Sequence, residues 1–170
     1  MSVAFRRESD EEHKEPRFEL PLPAGPNLVT GAGPALYAAK VAGIEAAIAA
    51  ETAEEPVALL KRELRYWHTR QSTAQVAPPP GNSVAVGARV RIRLAGKERV
   101  IDVVGHDEAD PAAGRIAFSA PLAHALIGAE AGERVDFNGR AEVIEILAVD
   151  PIPRLTRTGP LASCRLAPTR

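Results

Sequence analysis

The sequence predicts an α+β protein in which an antiparallel helical hairpin precedes a small β-sheet domain. Before residue 76, apolar residues recur at helical spacing on both sides of a short acidic connection. After residue 82 the period changes to two, which is typical of half-buried strands. Asn138-Gly139, between two such runs, is the strongest short signal for a β-hairpin.

Composition shifts divide the chain into five segments. Prolines and glycines follow a charged N-terminal block and oppose both helix and strand there, and Pro78-Pro79-Pro80-Gly81 is a stiff break. We expect a disordered leader at 1–33, the helical hairpin at 34–76, a proline-rich linker at 77–82, the sheet domain at 83–149 and a basic, flexible tail at 150–170.

The hairpin is predicted from two apolar stripes with coiled-coil spacing. Pro34 suits a first helical turn, and Thr52 and Glu55 have the spacing of a capping box for the second helix. Neither helix is long enough to be stable alone, so we expect the two to pack together. The stripes are Tyr37, Val41, Ile44 and Ile48, then Val57, Leu60, Leu64, Trp67, Gln71 and Ala74.

The sheet domain begins with a strand at 88–94, in which Arg89, Arg91 and Arg93 alternate with apolar residues. Ala95-Gly96 allows a turn, and the arginines are expected to pair across it with Glu98 and Asp102. The rest of the pattern predicts an antiparallel sheet with one helix packed across it. The further elements are strands at 98–104, 115–119, 133–137 and 140–148, a loop at 105–114 and a helix at 121–128.

Charge and cysteine content exclude several protein classes. The formal net charge is −1, so the chain as a whole is not a polyanion binder. The charge is unevenly distributed, because acids outnumber bases in 1–20 and the only charged residues from Pro151 onward are four arginines. A single cysteine, Cys164, excludes an internal disulfide and fits a reducing compartment. Because there is no signal peptide and no apolar run of ~18 residues, we expect a cytoplasmic protein that does not bind membranes.

Two charged clusters in the hairpin are candidate functional sites. Glu51, Glu54 and Glu55 lie at the acidic connection between the helices. Such acids complement the dipole of the second helix, but on a rigid arm they could also bind Mg²⁺. The second helix carries a basic face of Lys61, Arg62 and Arg65. It is either a solvated face or a positive wall that attracts RNA or an acidic protein.

Other motifs do not indicate a catalytic or metal site. Gly31-Ala32-Gly33 lacks the third glycine and the βαβ unit of a dinucleotide site. His106 lies near Asp107, Glu108 and Asp110, but the spacing is not that of an EF-hand, so we expect a solvated loop. With no nucleophile elbow or phosphate-binding loop, we expect no catalytic residue and no enzyme.

The sheet domain resembles a known family. The run VVGHDEADPAAGRI at 103–116, the run SAPLAHALIG at 119–128 and Ala131-Gly132-Glu133 are similar to the C-terminal domain of Gre-type (GreA/GreB) transcription elongation factors, which the regulator Rnk shares. Asn27-Leu28-Val29-Thr30 and Leu64-Arg65-Tyr66-Trp67 also resemble Gre sequences, so the similarity covers residues 27–149.

The resemblance implies an FKBP-like fold for 83–149 and a β domain that grips the rim of the RNA polymerase secondary channel while the arm enters it. In full-length Gre factors, acidic residues at the arm tip hold Mg²⁺ and promote cleavage of backtracked RNA. The family's Asp-Ser-Pro docking turn reads Ser119-Ala120-Pro121 here, which implies Ser119 and Pro121 as polymerase-docking residues. Nascent RNA or DNA would be contacted through the complex.

The predicted arm is short, because residues 34–50 as a helix span about 25 Å, roughly half the reach of the full-length family. We therefore expect a monomeric secondary-channel factor that regulates elongation without strong cleavage stimulation. We expect no cofactor beyond transient Mg²⁺ at the polymerase active site, and that only if the arm reaches it.

Two alternatives remain open: a true transcript-cleavage factor, and a Rnk-like adaptor whose partner is not polymerase. A prolyl isomerase is not expected. Such sites are rich in aromatic side chains, whereas Phe118 and Phe137 are the only aromatic residues in 83–149.

Overall fold

The computed structural model describes residues 20–153, which fall into two compact units. Within these residues, one unit holds 20–27 together with 35–74, and the other holds 28–34 together with 75–153. Two helices precede a five-stranded sheet, so the predicted α+β class is confirmed. The predictions for residues 1–19 and 154–170 lie outside the described residues. No helix within 20–153 is long and apolar enough to span a bilayer.

The helical unit is built from α1 (Gly33–Ala50) and α2 (Glu54–Ser72). The predicted stripe of α1 is buried at Tyr37, Val41 and Ile44. The rings of Tyr37, early in α1, and Trp67, late in α2, lie 5.6 Å apart, so the two helices run in opposite directions. A coiled-coil geometry along the stripes stays a prediction.

Buried Asn27 closes the open end of this hairpin. Its amide nitrogen donates to the Arg70 carbonyl oxygen at 2.6 Å and to Thr73 Oγ1 at 3.0 Å. Its amide oxygen accepts from the Tyr37 hydroxyl at 3.3 Å. The leader expected at 1–33 is therefore ordered at Asn27, because one amide holds the chain against the ends of both helices.

The main sheet and helix of the second unit consist of β3 (Ala88–Leu94), β4 (Lys97–Val104), β5 (Arg115–Ala117), α3 (Pro121–Leu126), β6 (Arg134–Phe137) and β7 (Arg140–Pro151). The strand order in this sheet is β5-β4-β3-β7-β6. The sheet is mixed rather than wholly antiparallel, because β5 runs parallel to β4. Residues 105–114, which include two short 3₁₀ turns, carry the chain back before β5 starts.

One face of the sheet packs against α3 and forms the core. Alternate residues of β3, β4 and β7 point inward, and Ala123 and Leu126 of α3 cover them. Burying each valine or isoleucine side chain contributes roughly 1.5–3 kcal/mol. The fully buried sheet residues are Ala88, Val90, Ile92, Val103, Ile144 and Ile146.

Two tight turns fix the register of the hairpins. Ala95 and Gly96 have φ of 51° and 76°, and Asn138 and Gly139 have φ of 52° and 73°. Positive φ at both central residues is characteristic of the two-residue hairpin turn, type I′, whose twist matches that of the flanking strands. The Asn138-Gly139 hairpin prediction is therefore confirmed.

The predicted cross-strand charge pairs form on the outer face of the sheet for Arg89 and Arg93, whereas Arg91 lies opposite Val100. Arg89 holds Asp102 with two hydrogen bonds of 2.7 and 2.8 Å. Arg93 contacts Glu98 at 3.0 Å and also Glu145 of β7 at 2.8 Å.

A second, two-stranded sheet was not predicted. Its strands β1 (Leu28–Val29) and β2 (Gln75–Val76) pair in parallel, so the expected disordered leader is wrong at 28–33 as well. Val29 is fully buried. A Cβ on Gly33 would lie 2.5 Å from Val29 Cβ, so this glycine permits the first residue of α1 to lie directly against the Val29 side chain.

Candidate docking turn and arm tip

Ser119 and Pro121 lie together on an exposed turn between β5 and α3. The turn is closed by a hydrogen bond from the Ala120 amide to the Ala117 carbonyl at 2.9 Å. Pro121 occupies the first turn of α3, where its missing N–H costs nothing. The turn thus presents a hydroxyl and a proline ring side by side to solvent.

His106 is a third member of this turn that the sequence analysis did not assign to it. Its Nδ1 lies 3.3 Å from Ser119 Oγ. Its ring meets Phe118 edge-on, with the ring centroids 5.1 Å apart. His106 follows β4 and Ser119 follows β5, and these adjacent parallel strands end at the same edge of the sheet. That topology, which the sequence did not reveal, brings them together.

Glu51, Glu54 and Glu55 are all exposed at the connection between α1 and α2. Glu51 Oε1 accepts hydrogen bonds from the Thr52 amide at 2.9 Å and the Ala53 amide at 3.0 Å. These two amides, that of Ala53 foremost, lower the pKa of the Glu51 carboxyl. Its carboxylate is therefore held against the backbone of the connection.

The predicted capping box is wrong. The residue that caps α2 is Ala53, which makes no side-chain cap bond, and the helix begins at Glu54. Glu51 takes over part of the role assigned to Thr52 by binding the free amides that precede the helix. Glu54 and Glu55 lie in the first turn, where negative charge complements the helix dipole.

The basic residues of α2 lie along the arm between its tip and its base. Lys61 and Arg65 are exposed. Arg62 is half-buried and, with Glu55, Pro56 and exposed Leu59, lines an open groove of about 340 Å³. Acidic tip and basic face are therefore contiguous on the same helix.

The loop at 105–114 is not simply solvated as expected, because Glu108 is buried with 6% of its surface exposed. Its carboxylate accepts hydrogen bonds from the Thr30 amide at 2.8 Å, the Thr30 hydroxyl at 2.5 Å and the Gly105 amide at 3.0 Å. A Cβ on Gly105 would lie 2.5 Å from the Leu28 carbonyl oxygen. We call Thr30, Gly105 and Glu108 the Glu108 clamp, since they fasten β1 to the loop that follows β4.

The described part of the chain contains no group of three histidine, cysteine, aspartate or glutamate side chains that could hold a metal ion. At the arm tip, one oxygen of the Glu51 carboxylate is bound to two backbone amides. The tip carboxylates as placed do not form a metal-binding set.

Comparison with known proteins gives sequence matches that include the second unit. A family model described as transcription elongation factor, GreA/GreB, C-terminal, matches residues 79–151. Transcription elongation factor GreA of Agrobacterium fabrum is 37% identical over 91 residues, covering 51% of this chain and 58% of that protein. GreA of Sinorhizobium medicae is 36% identical with the same coverage. The chain thus spans less than two thirds of the length of these relatives.

The solved structures that resemble this chain have low TM-scores. A GreA factor homologue, Gfh1, of Thermus thermophilus is 15% identical with a TM-score of 0.33, covering 74% of this chain and 99% of that one. A GreA/GreB elongation factor from Nitrosomonas europaea is 17% identical with a TM-score of 0.36, covering 74% and 98%. The assignment rests on the sequence match of the second unit. Residues 79–151, less than half of the chain, match the C-terminal domain of the GreA/GreB transcription elongation factors.

Proposed function

We propose that this chain is a cytoplasmic factor that binds RNA polymerase at the rim of the secondary channel and regulates transcription elongation. In this proposal the protein acts as a monomer. Its second unit docks through the turn containing Ser119 and Pro121, and its helical hairpin enters the channel as an arm. The observation that carries the proposal is the GreA/GreB C-terminal match over residues 79–151.

We further propose that the arm occupies the channel without strong cleavage stimulation. Helix α1 has 18 residues and is therefore about 27 Å long. A Mg²⁺ ion requires oxygen ligands at about 2.0–2.1 Å, so carboxylates that stop short of the polymerase metal cannot assist it. The bonds from Thr52 and Ala53 to Glu51 support the same conclusion, since they engage the first tip carboxylate locally.

Docking in this chain depends on hydroxyl and ring contacts rather than on a carboxylate, because serine occupies the position of the family's aspartate. His106, 3.3 Å from Ser119 Oγ, orients this hydroxyl and adds a polar group to the turn. A prolyl-isomerase activity is not part of the proposal. A groove of about 420 Å³ in the second unit is lined by eight residues, none of them aromatic.

The proposal is tested by binding and by cleavage. Purified bacterial RNA polymerase should be retained by the immobilised chain, and a Ser119→Ala/Pro121→Ala variant should weaken retention at unchanged thermal stability. On a stalled, backtracked complex the chain should give little cleavage and should inhibit cleavage by an added longer Gre factor through competition.

The opposite outcomes point to the alternatives. Robust cleavage that disappears in a Glu51→Ala/Glu54→Ala/Glu55→Ala variant would identify a true cleavage factor and refute the length argument. Absence of polymerase binding would refute the proposed partner and favour a Rnk-like adaptor.

A further inference from the structure

Contacts on both sides hold the side chains of His106 and Ser119 next to each other. The Phe118 amide, directly before Ser119, donates to the carbonyl of the last residue of β4 at 2.8 Å. The Phe118 ring meets the His106 ring edge-on, with the centroids 5.1 Å apart. The amide of Gly105, directly before His106, donates to the Glu108 carboxylate at 3.0 Å. The 3.3 Å between His106 Nδ1 and Ser119 Oγ is therefore supported by the backbone and by ring packing.

The segment around these two side chains is acidic. Residues 105–121 contain three acids, Asp107, Glu108 and Asp110, and a single base, Arg115. The strands packed against the turn that holds His106 are β1, which has no charged residue, and β5. The one charged residue of β5 is Arg115, which already contacts Asp110 at 3.2 Å. While His106 is neutral, this surface therefore favours a cationic group of a partner.

The proton on His106 Nδ1 determines what the Ser119 hydroxyl can offer to a partner. A serine hydroxyl has one proton to donate and two lone pairs with which to accept. If Nδ1 carries no proton, it accepts the Ser119 proton, and exposed Oγ presents only lone pairs to solvent. In the imidazolium ion both ring nitrogens donate, so Nδ1 donates to Oγ and the hydroxyl proton turns outward. The same serine is then a donor instead of an acceptor.

We propose that His106 is a positioning residue that makes the turn at 119–121 accept a hydrogen bond from an arginine or lysine of the docking partner. The inference rests on the proposed docking function and names the regulation of that site. Neutral His106 holds the Ser119 proton at Nδ1, which leaves an acceptor on an acidic surface. Protonation reverses this hydrogen bond and places a positive charge beside it, which repels the partner's cation. Because histidine changes its charge between about pH 5 and pH 8, docking weakens as the pH falls through this range.

The test compares binding of the full chain to purified bacterial RNA polymerase at pH 8 and at pH 6, at constant ionic strength. The parent chain should bind about fivefold more weakly at pH 6, because protonation removes one hydrogen bond to a charged group. His124→Asn is the matched control, since His124 is exposed on α3 outside the turn. This variant should keep the parent's pH response, which shows that titration of other groups, including those of polymerase, is not the cause.

Two variants of His106 separate the hydrogen bond from ring packing. His106→Phe keeps a ring against Phe118 but cannot accept, so it should weaken binding at pH 8 by about fivefold. His106→Asn places an amide oxygen near the position of Nδ1, so it should restore part of this affinity. Neither variant titrates at this position, so both should lose the pH response that distinguishes the parent. In the chain alone, the nitrogen-15 spectrum of the His106 ring should show an unprotonated Nδ1 at pH 8.

The outcomes distinguish this inference from the proposed function. Polymerase binding with the same pH profile in the parent and in His106→Asn would overturn the role of His106 while leaving docking in place. A protonated Nδ1 in neutral His106, or a His106→Phe variant that binds as the parent does at pH 8, would overturn it equally. Absence of polymerase binding at both pH values would overturn the proposed function and, with it, this use of the turn.

Discussion

Removing the carboxylate of the Glu108 clamp should destabilise the second unit by several kcal/mol. Glu108 is 6% exposed and receives three hydrogen bonds, from the amides of Thr30 and Gly105 and from the Thr30 hydroxyl. A hydrogen bond to a charged acceptor contributes about 1.5–3 kcal/mol, and a buried N–H left unpaired costs about 1–3 kcal/mol. Since water can reach half-buried Thr30 but not buried Gly105, Glu108→Ala should cost about 3–5 kcal/mol.

Matched substitutions at Thr30 test the same contact with less disturbance. Thr30→Val keeps the shape and removes the hydroxyl donor, so it should cost about 1.5–3 kcal/mol, whereas Thr30→Ser keeps that donor and should cost less than about 0.5 kcal/mol. Urea unfolding followed by circular dichroism gives the free energies. Exchange of the Gly105 amide, which should accelerate in Glu108→Ala, assigns the loss to the second unit. Equal stabilities of the valine and serine variants, or an Ala variant within about 0.5 kcal/mol of the parent, would refute this account.

Two further predictions concern charged side chains. Arg89→Ala should lower the free energy of unfolding by about 2 kcal/mol in urea titrations, because it leaves the largely buried Asp102 carboxylate unpaired. The control is Arg91→Ala, because Arg91 lies on the same face of β3 but has no ion pair among the described residues. This variant should stay within about 0.5 kcal/mol of the parent's free energy of unfolding. Equal losses in the two variants would show that the Arg89–Asp102 pair is not the cause. The amides of Ala53 and Thr52 lower the pKa of the Glu51 carboxyl from its usual 4.5. The stability that this carboxylate gives the connection is therefore fully present above pH 4.5 and is lost as the pH falls through the lowered pKa. Helicity measured between pH 6 and pH 3 should therefore fall less in Glu51→Gln than in the parent chain, and an unchanged acid limb would argue against this role of Glu51.

The features that sequence reasoning predicted correctly depend on local periodicity. The inward residues of β3 repeat at a period of two, and the buried residues of α1 repeat at three and four. Asn138-Gly139 encodes its turn within two residues. The partners of Arg89 and Arg93 across the Ala95-Gly96 turn followed from the same local register. In each case the determining residues lie close together in the chain.

The features that sequence reasoning missed connect residues that are far apart in the chain. Thr30 and Glu108 are 78 positions apart, and β1 pairs with β2 across the entire hairpin. The parallel direction of β5 depends on the path of the 105–114 loop, which carries no periodic signal. One local signal was available, since Gly105 and Glu108 have the spacing at which a glutamate binds the amide three residues before it. A short buried 3₁₀ turn was therefore foreseeable, but its partner Thr30 was not.

Two separate features of the arm support the weak cleavage stimulation that we propose, and they differ in weight. The bonds from Thr52 and Ala53 to Glu51 involve an exposed side chain, and rotation about single bonds releases that carboxylate when a stronger ligand is present. The length of the arm cannot be adjusted in this way, because an α-helix of 18 residues has a fixed rise of about 1.5 Å per residue. The shortfall that the family resemblance implies is of the order of the arm's own length, which exceeds any side-chain movement. In the proposed function, length is therefore the decisive term.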